Sequence, residues 1–137
     1  MNNIILLVAR IFLAAIFILA GFGKLTDPGT PEATFSTVGM IAGRGLPAPL
    51  VLAYLAGLLE LLGGLAVLIG FQTRIAAWAL ALFALATGFL FHFTPTGDAM
   101  TDTINQIMLL KNFAMAGGFL VLGVHGAGAL SVDARRG

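Results

Sequence analysis

The stretch Pro49–Phe71, PLVLAYLAGLLELLGGLAVLIGF, decides the fold. It carries one charge, Glu60, at its centre, and is otherwise apolar apart from Tyr54. A hydrocarbon core takes about 20 such residues as a helix. In lipid every backbone N–H and C=O must be satisfied within the segment, which makes the helix the natural form for one apolar run. Three further runs share this character: Asn3–Gly23, Thr73–Phe93 and Ile104–Leu130. The last exceeds the core thickness and is expected to tilt or to end early, around Gly126–Gly128.

The whole chain agrees with the quoted stretch. Hydrophobic residues make up 59% of its 137 positions and charged residues 9%, where soluble domains have about 45–50% and about 25%. Thirteen charged side chains cannot clothe the surface of so small a globule in water. A net charge of +1, with Arg135–Arg136 as the largest basic cluster, excludes a nucleic-acid partner. The absence of cysteine removes disulfides, thiolate metal sites and dithiol redox chemistry. Two histidines, His92 and His125, form no metal set on their own. Apolar content this high also excludes a disordered chain.

The chain therefore reads as an all-α integral membrane protein, a four-transmembrane-helix bundle forming one membrane domain over residues 1–137. A short amphipathic helix is expected in the first loop. Thr30-Pro31-Glu32 resembles a helix start, and Phe35, Val38, Ile41 and Ala42 recur at helical spacing, so this helix is placed at Pro31–Ala42, on the membrane surface or tucked between spans. Gln72-Thr73 makes a tight hairpin, Thr94–Asp98 is turn chemistry, and Asp102 or Thr103 is the expected N-cap of the fourth span. Met1-Asn2-Asn3 lacks the basic residues of a signal peptide and Arg10 interrupts the apolar run, so an uncleaved first span is expected. Four spans put both termini on one face. That face carries Arg74, Arg135 and Arg136 against Lys24 and Arg44 opposite, which favours cytoplasmic termini.

Ionisable groups inside a span cost about 2.5–3.5 kcal/mol each, so Arg10, Glu60, His92 and Lys111, with Asn112 and Gln106 beside the last, each call for a partner or a purpose. Depth counting brings Arg10 and Glu60 to within a few ångströms of one level, and an Arg10–Glu60 ion pair between the first and second spans is expected. Ala53, Ala56, Gly57, Gly63 and Gly64 share a stripe with Glu60 and should turn it to the bundle interior. Lys24, His92 and Lys111, with Asp98 and Asp102, are expected to form a polar cup on the opposite face. Such a cup suits an anionic or quinone-like ligand. The plainer readings are an ion pair that only fixes helix register, a Lys24 that snorkels to the interface, and a His92 at the interface. For Lys111 the structural and functional readings stay equally open. His125, Trp78 and Tyr54 read as packing or interface residues.

An ordered set of pieces resembles the DoxX family of small four-span bacterial inner-membrane proteins. These are Arg10 with Phe17, Ala20–Leu25, Glu60–Gly64, Gly70–Ala77, His92, and Lys111–Ala114 with Gly117-Gly118. The resemblance implies a multi-pass inner-membrane location. It carries the matching polar positions Arg10, Lys24, Glu60, His92, Lys111 and Asn112 as a candidate ligand cluster. Some relatives are linked to quinone-coupled oxidation of thiosulfate and others to complexes that answer oxidative or thiol stress. Persulfide chemistry on this subunit is ruled out by its lack of cysteine, and it shows no ligand set for haem, iron or flavin. The expected role is a small redox-associated subunit with a site for a quinone-like or amphipathic ligand at this intramembrane polar cluster. The alternatives are a scaffold that recruits a membrane redox partner through the first-loop helix, and a small transporter. The bilayer is the expected partner, with a redox protein or a second copy of the chain.

Overall fold

Each apolar run folds as a helix and the polar breaks between them fold as turns. The computed structural model describes residues 2–136. The elements are α1 (Asn2–Thr26), α2 (Thr37–Gly43), α3 (Pro49–Ile69), α4 (Thr73–His92), α5 (Ala99–His125) and α6 (Asp133–Arg136). Among the described residues α1, α3, α4 and α5 are long and apolar enough to cross a membrane. Their outward surfaces are clothed in large apolar side chains such as Phe12, Leu19, Leu82 and Ile75, as a lipid solvent requires.

Glycine sets the register. A Cβ on Gly21 would meet Leu61 N at 2.5 Å and Gly57 O at 2.7 Å, and one on Gly64 would meet Ile18 and Ala14. These contacts bring the backbones of α1 and α3 together, antiparallel, with Arg10 level with Gly70 and Glu60 level with Ala20. α4 and α5 form the second close pair, Gly88 seating Asn112 and Gly123 seating Trp78. The pairs join over a core of Ala14, Phe17, Val67, Leu80 and Phe119, in which the rings of Phe17 and Phe119 meet edge to face at 5.1 Å.

Two boundaries differ from the sequence expectation and a third falls where the glycines suggest. The first-loop helix begins at Thr37, not Pro31. Ser36 caps it, accepting from Gly39 N at 3.0 Å while its hydroxyl donates to Thr30 O at 2.9 Å. The expected start at Thr30–Glu32 is spent on the turn that this bond closes. α5 begins at Ala99, capped by Asp98 through Thr101 N at 2.8 Å, rather than at Asp102 or Thr103. Asp102 instead closes the preceding loop, accepting from Thr96 N at 2.6 Å. α5 then ends at His125, where Gly126 adopts a φ of +80°, so the early stop near Gly126 occurs and Leu130 lies beyond the helix.

The C-terminal segment folds back over the face that holds both termini. Val132 N donates to Ile69 O at 3.1 Å and Asp133 N to Gly70 O at 2.8 Å. Gln72 and Thr73 in turn give their backbone N–H groups to the two carboxylate oxygens of Asp133, at 2.7 and 2.9 Å. A residue sixty positions away thus caps the first turn of α4.

Candidate functional site

The cavity at the far face, opposite the termini, is assembled from every span. α1 contributes Lys24, α3 Glu60, α4 Thr87 and His92, and α5 Asn112; Ile41 and Met40 of α2 lie against it. The volume is about 240 Å³. α2 stays in place because Val38 and Ile41 are buried with Ala53 against Leu46, Leu52 and Phe91. Arg44, just past its end, donates to Phe91 O at 2.8 Å and so satisfies a carbonyl at the C-terminal end of α4.

The charge at the centre is an ion pair. Lys24 Nζ lies 2.7 Å from Glu60 Oε2, and Glu60 is only 6% exposed. At that separation the two opposite charges attract strongly in a medium of low dielectric. Helix geometry produces it. Side chains on a helix lean toward its N-terminus; Lys24 therefore leans back along α1, and Glu60 leans along α3 toward the far face, and the two converge.

The expected Arg10–Glu60 pair does not form, for the same reason. Arg10 leans toward the termini face and starts about 15 Å below Glu60, ten residues at 1.5 Å each. The guanidinium is completely buried, donates from Nη2 to Leu130 O, and fills the space that a Cβ on Gly70 would need. Asp133 supplies balancing negative charge. Arg10 thus holds the C-terminal segment onto the α3–α4 turn and stands apart from the cavity.

Lys111 also stands apart. It is exposed on the outer side of α5, while its neighbour Asn112 turns inward against Gly88. This pairing sets Lys111 level with Phe89, about one turn from the end of α4. Its side chain leans toward the N-terminus of α5, at the far interface, as a snorkelling lysine does. Asp98 and Asp102 serve the loop rather than a cup. The hydroxyl and backbone N–H of Thr101 hold the carboxyl of Asp98 below the usual aspartate range.

Of the six sequence candidates, Lys24, Glu60, His92 and Asn112 line one cavity; Arg10 and Lys111 do not. The remaining polar groups are partly committed. Thr87 donates to Phe83 O at 2.8 Å and Asn112 Nδ2 to Met108 O at 2.9 Å, which leaves an oxygen of each as a spare acceptor. His92 Nδ1 pairs with Asn105 Oδ1 at 3.1 Å. With the proton on Nδ1, Nε2 is the free nitrogen of the ring. Thr87 escaped the sequence reading because one hydroxyl in an apolar run bonds to its own helix and gives no periodic signal. Its place beside Gly88, where α5 comes close, was the only hint. Nothing local in the sequence marks Asp133 as a cap for a helix sixty residues earlier.

Comparison with known proteins agrees with this architecture. The DoxX family profile matches residues 5–93, which takes in Lys24, Glu60 and His92. The chain is 39% identical over 133 residues to inner membrane protein YqjF of Escherichia coli (strain K12), covering 97% of this chain and 92% of that protein. It is 35% identical over 134 residues to inner membrane protein YphA of the same organism, covering 96% and 90%. No solved structure matches it.

Proposed function

The chain belongs to the DoxX family, and from that premise we propose that this multi-pass inner-membrane protein binds the ring of a quinone-like, amphipathic molecule in its far-face cavity. The observation that carries the reading is the Lys24–Glu60 pair, held between α1 and α3 and lining a cavity with His92, Thr87 and Asn112. A charge pair that served only to hold α1 on α3 would gain nothing from a neighbouring void. A cavity of about 150 Å³ takes a benzene ring, so about 240 Å³ suits one substituted ring. The Lys24 ammonium offers donors to a ring carbonyl, and its charge favours an oxygen that gains electron density. Thr87 and Asn112 offer acceptors to a ring hydroxyl. The chain itself has no cysteine, so electrons would come from a membrane redox partner, with this protein as its ligand-holding subunit. Arg10, Arg74, Arg135 and Arg136 crowd the termini face, and we place that face in the cytoplasm.

Purified protein in nanodiscs tests the reading by mass spectrometry of co-retained quinone. Retention is expected in the wild type and in Lys111→Met, and loss in Lys24→Met and Glu60→Gln. Absence of quinone from the wild type, or equal retention in all four, overturns it.

A second reading, recruitment of a partner by the first loop, is favoured by one observation: Phe35, just before α2, is 92% exposed. Ile41, which shares its sequence pattern, is buried on the inner side of α2 and belongs to the cavity wall. Phe35→Ser should therefore release a co-purifying partner and leave quinone retention unchanged.

A further inference from the structure

The seam between the two helix pairs is uneven. α1 packs closely along α3, and α4 along α5, but α1 and α5 touch only sparsely. Their contacts lie toward the termini face, where Leu13 meets Gly118 and Phe17 meets Phe119. Further toward the far face a smaller cavity of about 110 Å³ occupies the seam, between Ile16, Phe17 and Ala20 of α1 and Met115 of α5. Glu60, Phe83, Thr87 and Asn112 line this cavity and the larger one alike, so the two adjoin. Ile16 is 39% exposed on the lipid side. On the far side α2 lies against the larger cavity through Thr37, Met40 and Ile41.

We infer that the cavity opens sideways into the bilayer between α1 and α5, and that its ligand enters from the lipid, ring first, leaving a hydrocarbon tail in the seam. This deepens the ring-binding reading above and rests on it for the identity of the head. The wall of the seam is apolar on both helices, with Ile16 and Ala20 facing Met115, whereas the polar groups stand at its inner end. This order matches a molecule with one polar end and one oily end. It does not match a water-soluble ion, which would have to cross the apolar part first. Ala20 is the narrowest side chain on the α1 side, so the width of the opening is set there.

The absence of cysteine makes access directly measurable. Thr87→Cys places one thiol where the two cavities meet, and Leu82→Cys, on the lipid-facing side of α4, serves as the reference. Each variant, reconstituted in nanodiscs, is labelled with a maleimide carrying a long alkyl chain and with a sulfonated maleimide confined to water. The alkyl reagent should label Thr87→Cys faster than the sulfonated one. Adding Ala20→Phe should slow that labelling about tenfold, equivalent to about 1.4 kcal/mol of barrier, without slowing Leu82→Cys. Met115→Cys repeats the measurement should Thr87→Cys fail to fold. The inference is overturned if the sulfonated reagent reacts faster, if Ala20→Phe leaves the rate unchanged, or if neither reagent reaches either thiol. Normal labelling with no quinone retained refutes the ring-binding reading alone and leaves the lateral opening standing.

Discussion

Lys24 and Glu60 meet at 2.7 Å although Lys24 lies one helical turn farther along α1 than the residue level with Glu60. The turn of offset is what allows the contact. Antiparallel helices lean their side chains in opposite directions, so partners set slightly apart on the correct sides converge, whereas Arg10, on the wrong side of Glu60, leans away. The close approach that makes this offset count comes from Gly21 and Gly57, which bring α1 onto α3.

Energetic coupling should therefore link Glu60 to Lys24 and not to Arg10. Lys24→Met leaves a carboxylate buried without a partner and is expected to cost about 3 kcal/mol, the lower end for breaking a buried pair. Glu60→Gln in the same chain should recover part of that loss. Arg10→Met and Glu60→Gln should be additive, as separated sites are. Double-mutant cycles by unfolding in mixed micelles measure both, and coupling of Glu60 to Arg10 alone would reverse the assignment.

The termini face depends on Gly70 for two reasons. Its φ of +73° is left-handed, and a Cβ there would meet Arg10 Nη1 and Ser131. Gly70→Ala should cost about 3 kcal/mol, combining left-handed strain with overpacking. Gly23→Ala, where a Cβ meets nothing within 4 Å, should be neutral or slightly stabilising in its helix. Thermal unfolding in detergent separates the two. Equal midpoints would show that Arg10 has other room to occupy.

Acid should release the C-terminal cap. Burial pushes the carboxyl of Asp133 up, but backbone hydrogen bonds from Thr73 and Gln72 and the charge of Arg136 outweigh it and hold the group below its ordinary value. A depressed carboxylate contributes stability above its unfolded value of about 3.9 and loses that contribution as pH falls through the lower, folded value. Amide exchange at Gln72 and Thr73 reports it. Their protection should fall about tenfold in Asp133→Asn, as loss of a charge-assisted hydrogen bond implies. Acidification below about pH 4 should do the same to the wild type and leave Asp133→Asn unmoved. Protection indifferent to both would show that Asp133 does not cap α4.

Hydrophobic runs gave away the four spans, because lipid permits few other ways to satisfy a backbone. The stop near Gly126 was legible in its glycines. Residue depth was the weak step. Counting from the ends of apolar runs put Arg10 and Glu60 near one level, but helix register is fixed by where glycines seat against a neighbour, and that pairing is tertiary. Lys111 and Asn112 show the same limit. One position of rotation separates a lipid-facing side chain from a cavity-facing one, and a helix with small residues on several sides, such as Ala114, Gly117 and Gly118, does not declare which side turns inward.

The role proposed for the far-face ion pair is to hold a ring. Isothermal titration of a short-tailed benzoquinone into the nanodisc protein tests it most directly, comparing wild type with Lys24→Met, Glu60→Gln, Arg10→Lys and Lys111→Met. Binding is expected for the wild type, with a loss of about ten- to a hundredfold for the first two variants, as for hydrogen bonds to charged groups, and unchanged affinity for Lys111→Met and for folded Arg10→Lys. Affinity that is absent throughout, or that falls with Lys111 and not with Lys24 or Glu60, would contradict it.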